Sequence, residues 1–200
     1  MIKLGVFYCL EDGFKNDLES IKSFFSSKCK ISKYLNHLPH LSLYVFNINS
    51  NNLSDVIVEF KEMQKSLDQF SAQIVKWKVF ENDILTKLNT LSLEIELSNE
   101  LKVLQMKVVD SLSNFHIKSN NEYFGELKFS NDRYGYPFVG NHWIPHITIG
   151  SMDINTKNLF KFSKELFVFP QEILINNICL FEIKGDHHKL IKKINFERRS

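Results

Sequence analysis

Hydrophobic residues along this 200-residue chain either alternate with polar residues or recur every three to four positions. The first pattern is typical of strands with one buried face, and the second is typical of amphipathic helices. Together they predict helices at about 14–28, 53–70, 98–112 and 155–165, with Ser98 as a cap. They predict strands at about 3–10, 40–46, 72–80, 88–97, 146–151, 173–184 and 190–196. This mixture of elements is typical of an α+β protein.

Two of the predicted strands contain the same short motif. It reads His40-Leu41-Ser42-Leu43 in the first strand and His146-Ile147-Thr148-Ile149 in the second, and a proline precedes each copy. Side chains of a strand alternate between its faces, so each histidine shares a face with the hydroxyl residue two positions later. Two such strands side by side would surround one small anion with two imidazoles and two hydroxyls.

The duplicated motif resembles the signature of the two-histidine (2H) phosphoesterase superfamily, which includes 2′-5′ RNA ligase-like proteins and cyclic nucleotide phosphodiesterases. The resemblance implies one bilobal, pseudo-symmetric domain over residues 1–200. Two antiparallel sheets would line a central cleft in it, with the helices outside. It also implies that His40 and His146 are the catalytic pair, and that Ser42 and Thr148 bind the phosphate.

The chemistry of these residue types agrees with that implication. Cleavage of a phosphodiester needs one group that takes a proton from the attacking oxygen and another that donates a proton to the leaving oxygen. A neutral and a charged imidazole can do both near neutral pH, and hydroxyls can donate hydrogen bonds to the non-bridging oxygens. The reaction requires neither a metal nor a cofactor. The sequence leaves open which histidine is the acid.

Other residues near the motifs are candidates for substrate contacts. Alternation along the strands places Tyr44 and Gly150 in the cleft, where Tyr44 could stack on a base and Gly150 would leave room for the substrate. Trp143 precedes the second motif and is either a base platform or a packed residue at the core or rim. Arg133 and Tyr136 could pair with phosphate and stack on a base, or be a surface arginine and a packed aromatic residue.

The segment that contains Arg133 and Tyr136 shows neither hydrophobic pattern. It extends over 118–141 and is rich in Asn, Tyr and Gly. Unstructured segments of more than about 12 to 15 residues are uncommon in compact domains unless they have a function. We therefore expect 118–141 to form a mobile functional loop.

Composition restricts the partners and the compartment. The formal net charge of +2 is small, which argues against the dense basic surface that holds a long duplex; a nucleotide or short RNA is the expected partner. Cys9, Cys29 and Cys179 are odd in number and lack metal-ligand spacing, which favours a reducing compartment without disulfides. No apolar segment approaches the roughly eighteen residues that span a bilayer. We expect a cytoplasmic monomer that binds neither a membrane nor a metal.

These observations predict a metal-independent phosphodiesterase that acts on a nucleotide or short RNA with a 2′ linkage. That linkage is either a 2′,3′-cyclic phosphate or a 2′-5′ phosphodiester. The alternative is a non-catalytic module that binds a nucleotide or an RNA end in the same cleft. A metal hydrolase is disfavoured because Asp and Glu do not cluster around the motifs. The remaining histidines near the motifs and in the last hairpin are expected to be loop or solvated residues, namely His37, His142, His187 and His188.

Overall fold

The computed structural model describes residues 1–118, 123–166, 169–185 and 187–197. Its strands are β1 (Ile2–Cys9), β2 (Ser32–Lys33), β3 (His40–Ile48), β4 (Phe70–Phe80), β5 (Asn89–Ile95), β6 (His146–Met152), β7 (Glu172–Ile175), β8 (Asn177–Lys184) and β9 (His187–Asn195). Its α-helices are α1 (Asp12–Ser26), α2 (Leu53–Glu62), α3 (Asn99–Leu112), α4 (Gly125–Tyr134) and α5 (Thr156–Leu166). None of the helices in these ranges is long and apolar enough to cross a membrane.

The strands form one antiparallel sheet in the order β7-β4-β5-β6-β3-β1-β8-β9, and the short β2 pairs with β6. The two motif strands, β3 and β6, are neighbours at the centre, where Leu41 pairs with Ile147. The family resemblance implied two sheets. In the structure these are two parts of one curled sheet, which join where β3 pairs with β6. The predicted α+β class is confirmed.

Helices cover one face of this sheet and form the core with it. α3 buries an apolar stripe that contacts β3, α1 contacts β6, and α5 contacts β4. Ser98 caps α3 by accepting a hydrogen bond from the Leu101 amide, as predicted. The apolar residues of both motifs are fully buried in this core, namely Leu41, Leu43, Ile147 and Ile149. Their burial anchors each motif strand beneath its polar face.

The first motif strand carries a β-bulge at the last residue of its motif. Ser42 pairs with Phe7 of β1 and Tyr44 pairs with Val6, so Leu43 is an extra residue in β3. A bulge shifts the alternation of a strand by one position. Tyr44 therefore points into the core, like Leu43, and is fully buried.

The second motif strand carries a bulge at the equivalent residue. Thr148 and Gly150 pair with consecutive residues of β5, so Ile149 is the extra residue in β6. The bulge turns Gly150 away from the face of Thr148, and Leu35 fills the space beside its Cα atom. The two motif strands thus share the same irregularity at the same position of the motif.

Two predicted elements have different boundaries in the structure. The helix expected at 53–70 ends at Glu62, and a 3-10 turn leads into β4, which begins at Phe70. Met63 and Leu67 are buried and extend the helical spacing beyond the helix itself. The strand expected at 173–184 is two strands, because β7 pairs with β4 whereas β8 pairs with β1.

The segment expected to be one long loop contains helix α4, so that prediction is wrong; residues 119–122 of the segment lie outside the described residues. α4 lacks an apolar pattern because its buried side chains are the polar Ser130 and Asn131, whereas Phe129 is exposed. Gly135 ends the helix at a φ of 70°, a left-handed conformation that glycine adopts without strain.

Candidate active site

Each motif histidine is held by a carbonyl group two residues earlier in the chain. The His40 Nδ1 atom lies 2.6 Å from the Leu38 oxygen, and the His146 Nδ1 atom lies 2.7 Å from the Ile144 oxygen. A proline stands between the two residues in each case. Proline fixes its own φ and keeps the preceding residue extended, so the local sequence sets each imidazole against its carbonyl.

These hydrogen bonds fix the tautomer of both rings. A carbonyl oxygen can only accept, so the Nδ1 atom of each neutral ring carries the proton and donates it. The Nε2 atom then carries the lone pair and is the atom that can take up or release a proton. In His40, Nε2 lies 3.1 Å from the Ser42 hydroxyl, which donates to it.

The four polar motif residues lie on one face of the central strand pair. The pairing of β3 with β6 sets an antiparallel register in which His40 stands opposite Thr148 and Ser42 stands opposite His146. All four side chains are half-buried. In such a pair, opposite Cβ atoms are about 5 Å apart and diagonal residues are about 7–8 Å apart. The imidazoles occupy a diagonal, a spacing at which both can reach the oxygens of one phosphate.

The surroundings of His40 disfavour its charged form. Its ring stacks on Phe7 with 3.9 Å between the ring centroids, and its cross-strand neighbour in β1 is Cys9. The His188 ring packs against it edge-on, with 5.3 Å between the centroids. Burial, with smaller contributions from positive charge on His188, Lys22 and His37, lowers the pKa of His40 to about 3, although the hydrogen bond to the Leu38 carbonyl acts in the opposite direction. The ring is therefore neutral near pH 7.

The surroundings of His146 contain carboxylates. Its cross-strand neighbour in β5 is Glu94, and the Phe80 ring packs against it with 5.0 Å between the centroids. Burial lowers the pKa of His146, whereas the charges of Asp83 and Glu94 act in the opposite direction and Lys78 acts with burial. The lobes thus differ in the charge beside each histidine, although the motifs are alike.

A third hydroxyl lies beside the motif pair. Ser92 of β5 pairs with Thr148, on the same face of the sheet. It is fully buried, and its Oγ atom has no hydrogen-bond partner among the described residues. A buried polar atom without a partner costs about 1–3 kcal/mol. A ligand oxygen that accepted from Ser92 would remove this cost.

Two positions that the sequence placed in the cleft lie elsewhere. The Tyr44 hydroxyl donates to the Tyr134 carbonyl, and its buried ring stacks on Phe46. The prediction that Tyr44 faces the cleft and stacks on a base is therefore wrong. The prediction that Gly150 leaves room for the substrate is also wrong, because Leu35 occupies the space beside it. The bulge at the last residue of each motif reverses the face in both cases.

Trp143 is a packed residue. It is 4% exposed, and its indole Nε1 atom donates to the Ser42 oxygen at 3.1 Å. The alternative that Trp143 is a base platform is wrong, because its ring is buried. Because Trp143 lies three residues before His146, this bond ties the chain that leads into the second motif to the main chain of the first motif.

Tyr136 and Arg133 lie with residues of the helical side of β3. The Tyr136 ring packs edge-on against Tyr44, with 6.0 Å between the centroids. Arg133 is exposed in the last turn of α4, and its guanidinium lies 4.9 Å from the centroid of the Tyr134 ring. Tyr136 thus contacts the buried Tyr44, and Arg133 contacts Tyr134, whose carbonyl accepts the hydrogen bond from Tyr44.

Several side chains around the histidines carried no sequence signal. Phe7 and Phe80 come from strands remote from the motifs, and only pairing brings their rings to the imidazoles. His188, expected to be solvated, is half-buried and contacts the ring of His37 at a centroid distance of 4.7 Å. Glu94 did have a signal, because alternation in β5 places it on the polar face of that strand.

The arrangement can therefore transfer two protons and donate hydrogen bonds from hydroxyls to an anion between the central strands. Within the described ranges, no group of three or more His, Cys, Asp or Glu side chains is arranged to hold a metal ion.

The model of the 2′-5′ RNA ligase superfamily matches residues 10–187, a range that includes both motifs. The match covers most of the chain, and the protein belongs to this superfamily of 2H phosphoesterases. No curated protein matches the chain in sequence.

Solved structures share the fold over the whole chain. TT0787 from Thermus thermophilus has a TM-score of 0.68 and 14% identity, with 100% of both chains covered. E. coli LigT in complex with 3′-AMP has a TM-score of 0.59 and 10% identity, with 98% of this chain and 99% of that chain covered. Usb1 from Kluyveromyces marxianus has a TM-score of 0.50 and 10% identity, with coverages of 97% and 98%.

Proposed function

We propose that this protein is a metal-independent phosphodiesterase that cleaves a 2′-linked phosphate in a nucleotide or short RNA. The linkage is a 2′,3′-cyclic phosphate or a 2′-5′ phosphodiester. The observation that carries the proposal is the pair of half-buried imidazoles on adjacent strands, each with its Nδ1 proton donated to a carbonyl and its lone pair on Nε2. Membership of the 2′-5′ RNA ligase superfamily supports a nucleotide with a 2′ linkage.

His40 is the base and His146 is the acid in the direction of cleavage. A base must be neutral before the reaction, and burial next to Phe7 keeps the pKa of His40 below its usual range. An acid must be protonated. Burial lowers the pKa of His146 as well, but the charges of Asp83 and Glu94 oppose this effect, whereas the charges around His40 add to it, so His146 is the more readily protonated ring of the pair. The attacking oxygen then lies on the His40 side of the phosphate, and the leaving oxygen lies on the His146 side.

Substrate binding prepares both rings for this exchange. A phosphate anion between them favours the imidazolium form, so it raises the pKa of His40 from about 3 towards neutrality. The ring becomes a stronger base only when the substrate is present. When the substrate binds, the Ser42 hydroxyl turns from the His40 Nε2 atom to the phosphate and leaves that nitrogen for the attacking oxygen. Ser42 and Thr148 then donate hydrogen bonds to non-bridging oxygens, where negative charge increases in the transition state.

A panel of substrates tests the proposal. Wild-type protein is incubated with 2′,3′-cyclic mononucleotides, 2′-5′ dinucleotides and 3′-5′ dinucleotides, and the products are identified by liquid chromatography and mass spectrometry. The matched control is the double variant His40→Ala/His146→Ala, purified in the same way. We expect turnover of at least one 2′-linked substrate by the wild type, undiminished by EDTA, and none by the control.

Two results would contradict the proposal. Equal turnover by wild type and control would mean that the activity is not that of the histidine pair. Thermal protection by the same nucleotides without product from any substrate would indicate the non-catalytic binding module instead.

A further inference from the structure

The polar face of the second lobe continues from the motif strand across β5 to β4. It consists of two lines of cross-strand neighbours, Thr148, Ser92 and Lys78 in one line and His146, Glu94 and Lys76 in the other. Adjacent strands are about 4.8 Å apart, so Lys78 starts about 10 Å from Thr148. This distance leaves room for a second phosphate beside one bound at the motif.

This face leads to a cavity of about 690 Å³ at the edge of β4. β4 pairs with β7 only over Phe70–Gln73, and no other described strand covers the rest of that edge. The cavity is lined by lysines, one carboxylate and apolar side chains, which include Lys76, Lys78, Lys164, Glu94, Phe160 and Phe169. Three ammonium groups against one carboxylate give it an excess of positive charge, and its apolar wall suits the flat face of a base.

Glu94, the carboxylate in the cavity lining, forms ion pairs with two of the lysines. Glu94 accepts from Lys78 at 2.9 Å and lies 3.7 Å from the Lys76 ammonium. One carboxylate cannot neutralise both, so positive charge is left for an anion. Lys78 also lies 5.4 Å from the centroid of the Phe80 ring, which packs on His146. These contacts connect the cavity directly to the second motif histidine.

We propose that this cavity, together with Ser92, forms a subsite for a further phosphate on the leaving side of the substrate. The inference rests on the proposed function, which places the scissile phosphate beside Thr148 and the leaving oxygen beside His146. The Ser92 hydroxyl, buried and without a partner among the described residues, donates to an oxygen between the two positions. The lysines hold the next phosphate. The substrate class is then an oligonucleotide that extends beyond the cleaved linkage, and not a mononucleotide.

Calorimetric titration with 2′-5′-linked adenylate dimer and tetramer tests this inference, because the dimer contains only the scissile phosphate. The measurements use the His40→Ala background, checked by circular dichroism, so that turnover does not consume the ligand. The test variant adds Lys76→Gln and Lys164→Gln. The matched control adds Lys61→Gln and Lys102→Gln, which remove two exposed lysines of α2 and α3.

We expect the tetramer to bind about tenfold more tightly than the dimer, and the test variant to remove most of this difference. The slope of log affinity against log salt should fall by about 0.7 for the tetramer, since the subsite holds one further phosphate and each single-strand phosphate contact contributes about 0.7. The control should keep the length preference of the background. Equal binding of dimer and tetramer, or an equal loss in the control, would overturn the inference.

The two proposals can fail separately. Length-dependent binding through these lysines, without cleavage of any 2′-linked substrate by the wild type, would reject the proposed function and leave the subsite. Cleavage of the dimer without any length preference in binding would reject the subsite and leave the proposed function.

Discussion

Replacement of Gly150 by alanine is expected to disturb both motifs at once. A Cβ atom at this position would lie 2.5 Å from the Leu35 Cδ2 atom and 3.0 Å from the Leu35 Cγ atom. Non-bonded carbon atoms are most favourable at about 3.5–4.0 Å. Leu35 is 7% exposed and packed in the core, so its side chain has little room to turn away, and relief of the clash displaces Leu35 or β6.

The magnitude follows from two opposing contributions. Overpacking of a core site costs about 1–3 kcal/mol, and the reduced freedom of the unfolded chain on changing Gly to Ala returns about 0.4–1 kcal/mol. We expect the free energy of unfolding of Gly150→Ala to fall by about 1–2 kcal/mol. Activity should fall as well, because Leu35 lies in the segment that leads to Leu38, whose carbonyl holds His40.

Urea unfolding followed by tryptophan fluorescence measures the effect. Gly13→Ala is the matched control, since a Cβ atom at Gly13 would meet nothing within 4 Å. In a Leu35→Ala background, Gly150→Ala should cost almost nothing, because the atoms that clash are absent. Equal stability of Gly150→Ala and Gly13→Ala, or an undiminished cost in the Leu35→Ala background, would refute the reasoning.

Three further variants test the site. Acid should destabilise the wild type more than the His40→Asn variant, which has no imidazole at this position. The His40 imidazole binds a proton with a pKa of about 6.5 in the unfolded chain and of about 3 in the folded protein. The contribution of His40 to the free energy of unfolding is therefore fully present above pH 6.5 and decreases as the pH falls towards 3, by at most about 2 kcal/mol at pH 5. Identical pH dependence of urea unfolding in the wild type and His40→Asn would contradict this. Trp143→Phe removes the indole N–H that donates to the Ser42 oxygen. We expect the free energy of unfolding to fall by about 1–2 kcal/mol and kcat to fall as well. A higher KM alone would indicate that Trp143 is a base platform. Tyr44→Phe should cost about 1 kcal/mol of stability and leave KM unchanged, because its ring is in the core; a clearly raised KM would place the ring at the substrate.

The motif strands could be predicted from the sequence because a strand pattern depends only on neighbouring residues. Alternation identified β3 and β6 and placed the apolar motif residues in the core, as the structure has them. The α+β class followed from the same patterns and from the family resemblance.

The wrong predictions depend on partners that are distant in sequence. Each bulge arises from pairing with another strand, and its effect is to turn Tyr44 and Gly150 to the other face. The α4 helix buries polar side chains, so its sequence lacks an apolar period. His188 reaches His40 only because β9 folds back beside β8, next to β1.

The turnover numbers of His40→Ala, His146→Ala and the double variant, on the best substrate of the panel, test the central claim most directly. If both imidazoles transfer protons at one phosphate, each single variant should lose about 10²–10⁴-fold in kcat. The double variant should be scarcely slower than the worse single variant, because groups that act as a unit are not additive. Activity within tenfold of the wild type in either single variant, with the fold intact by circular dichroism, would contradict the account.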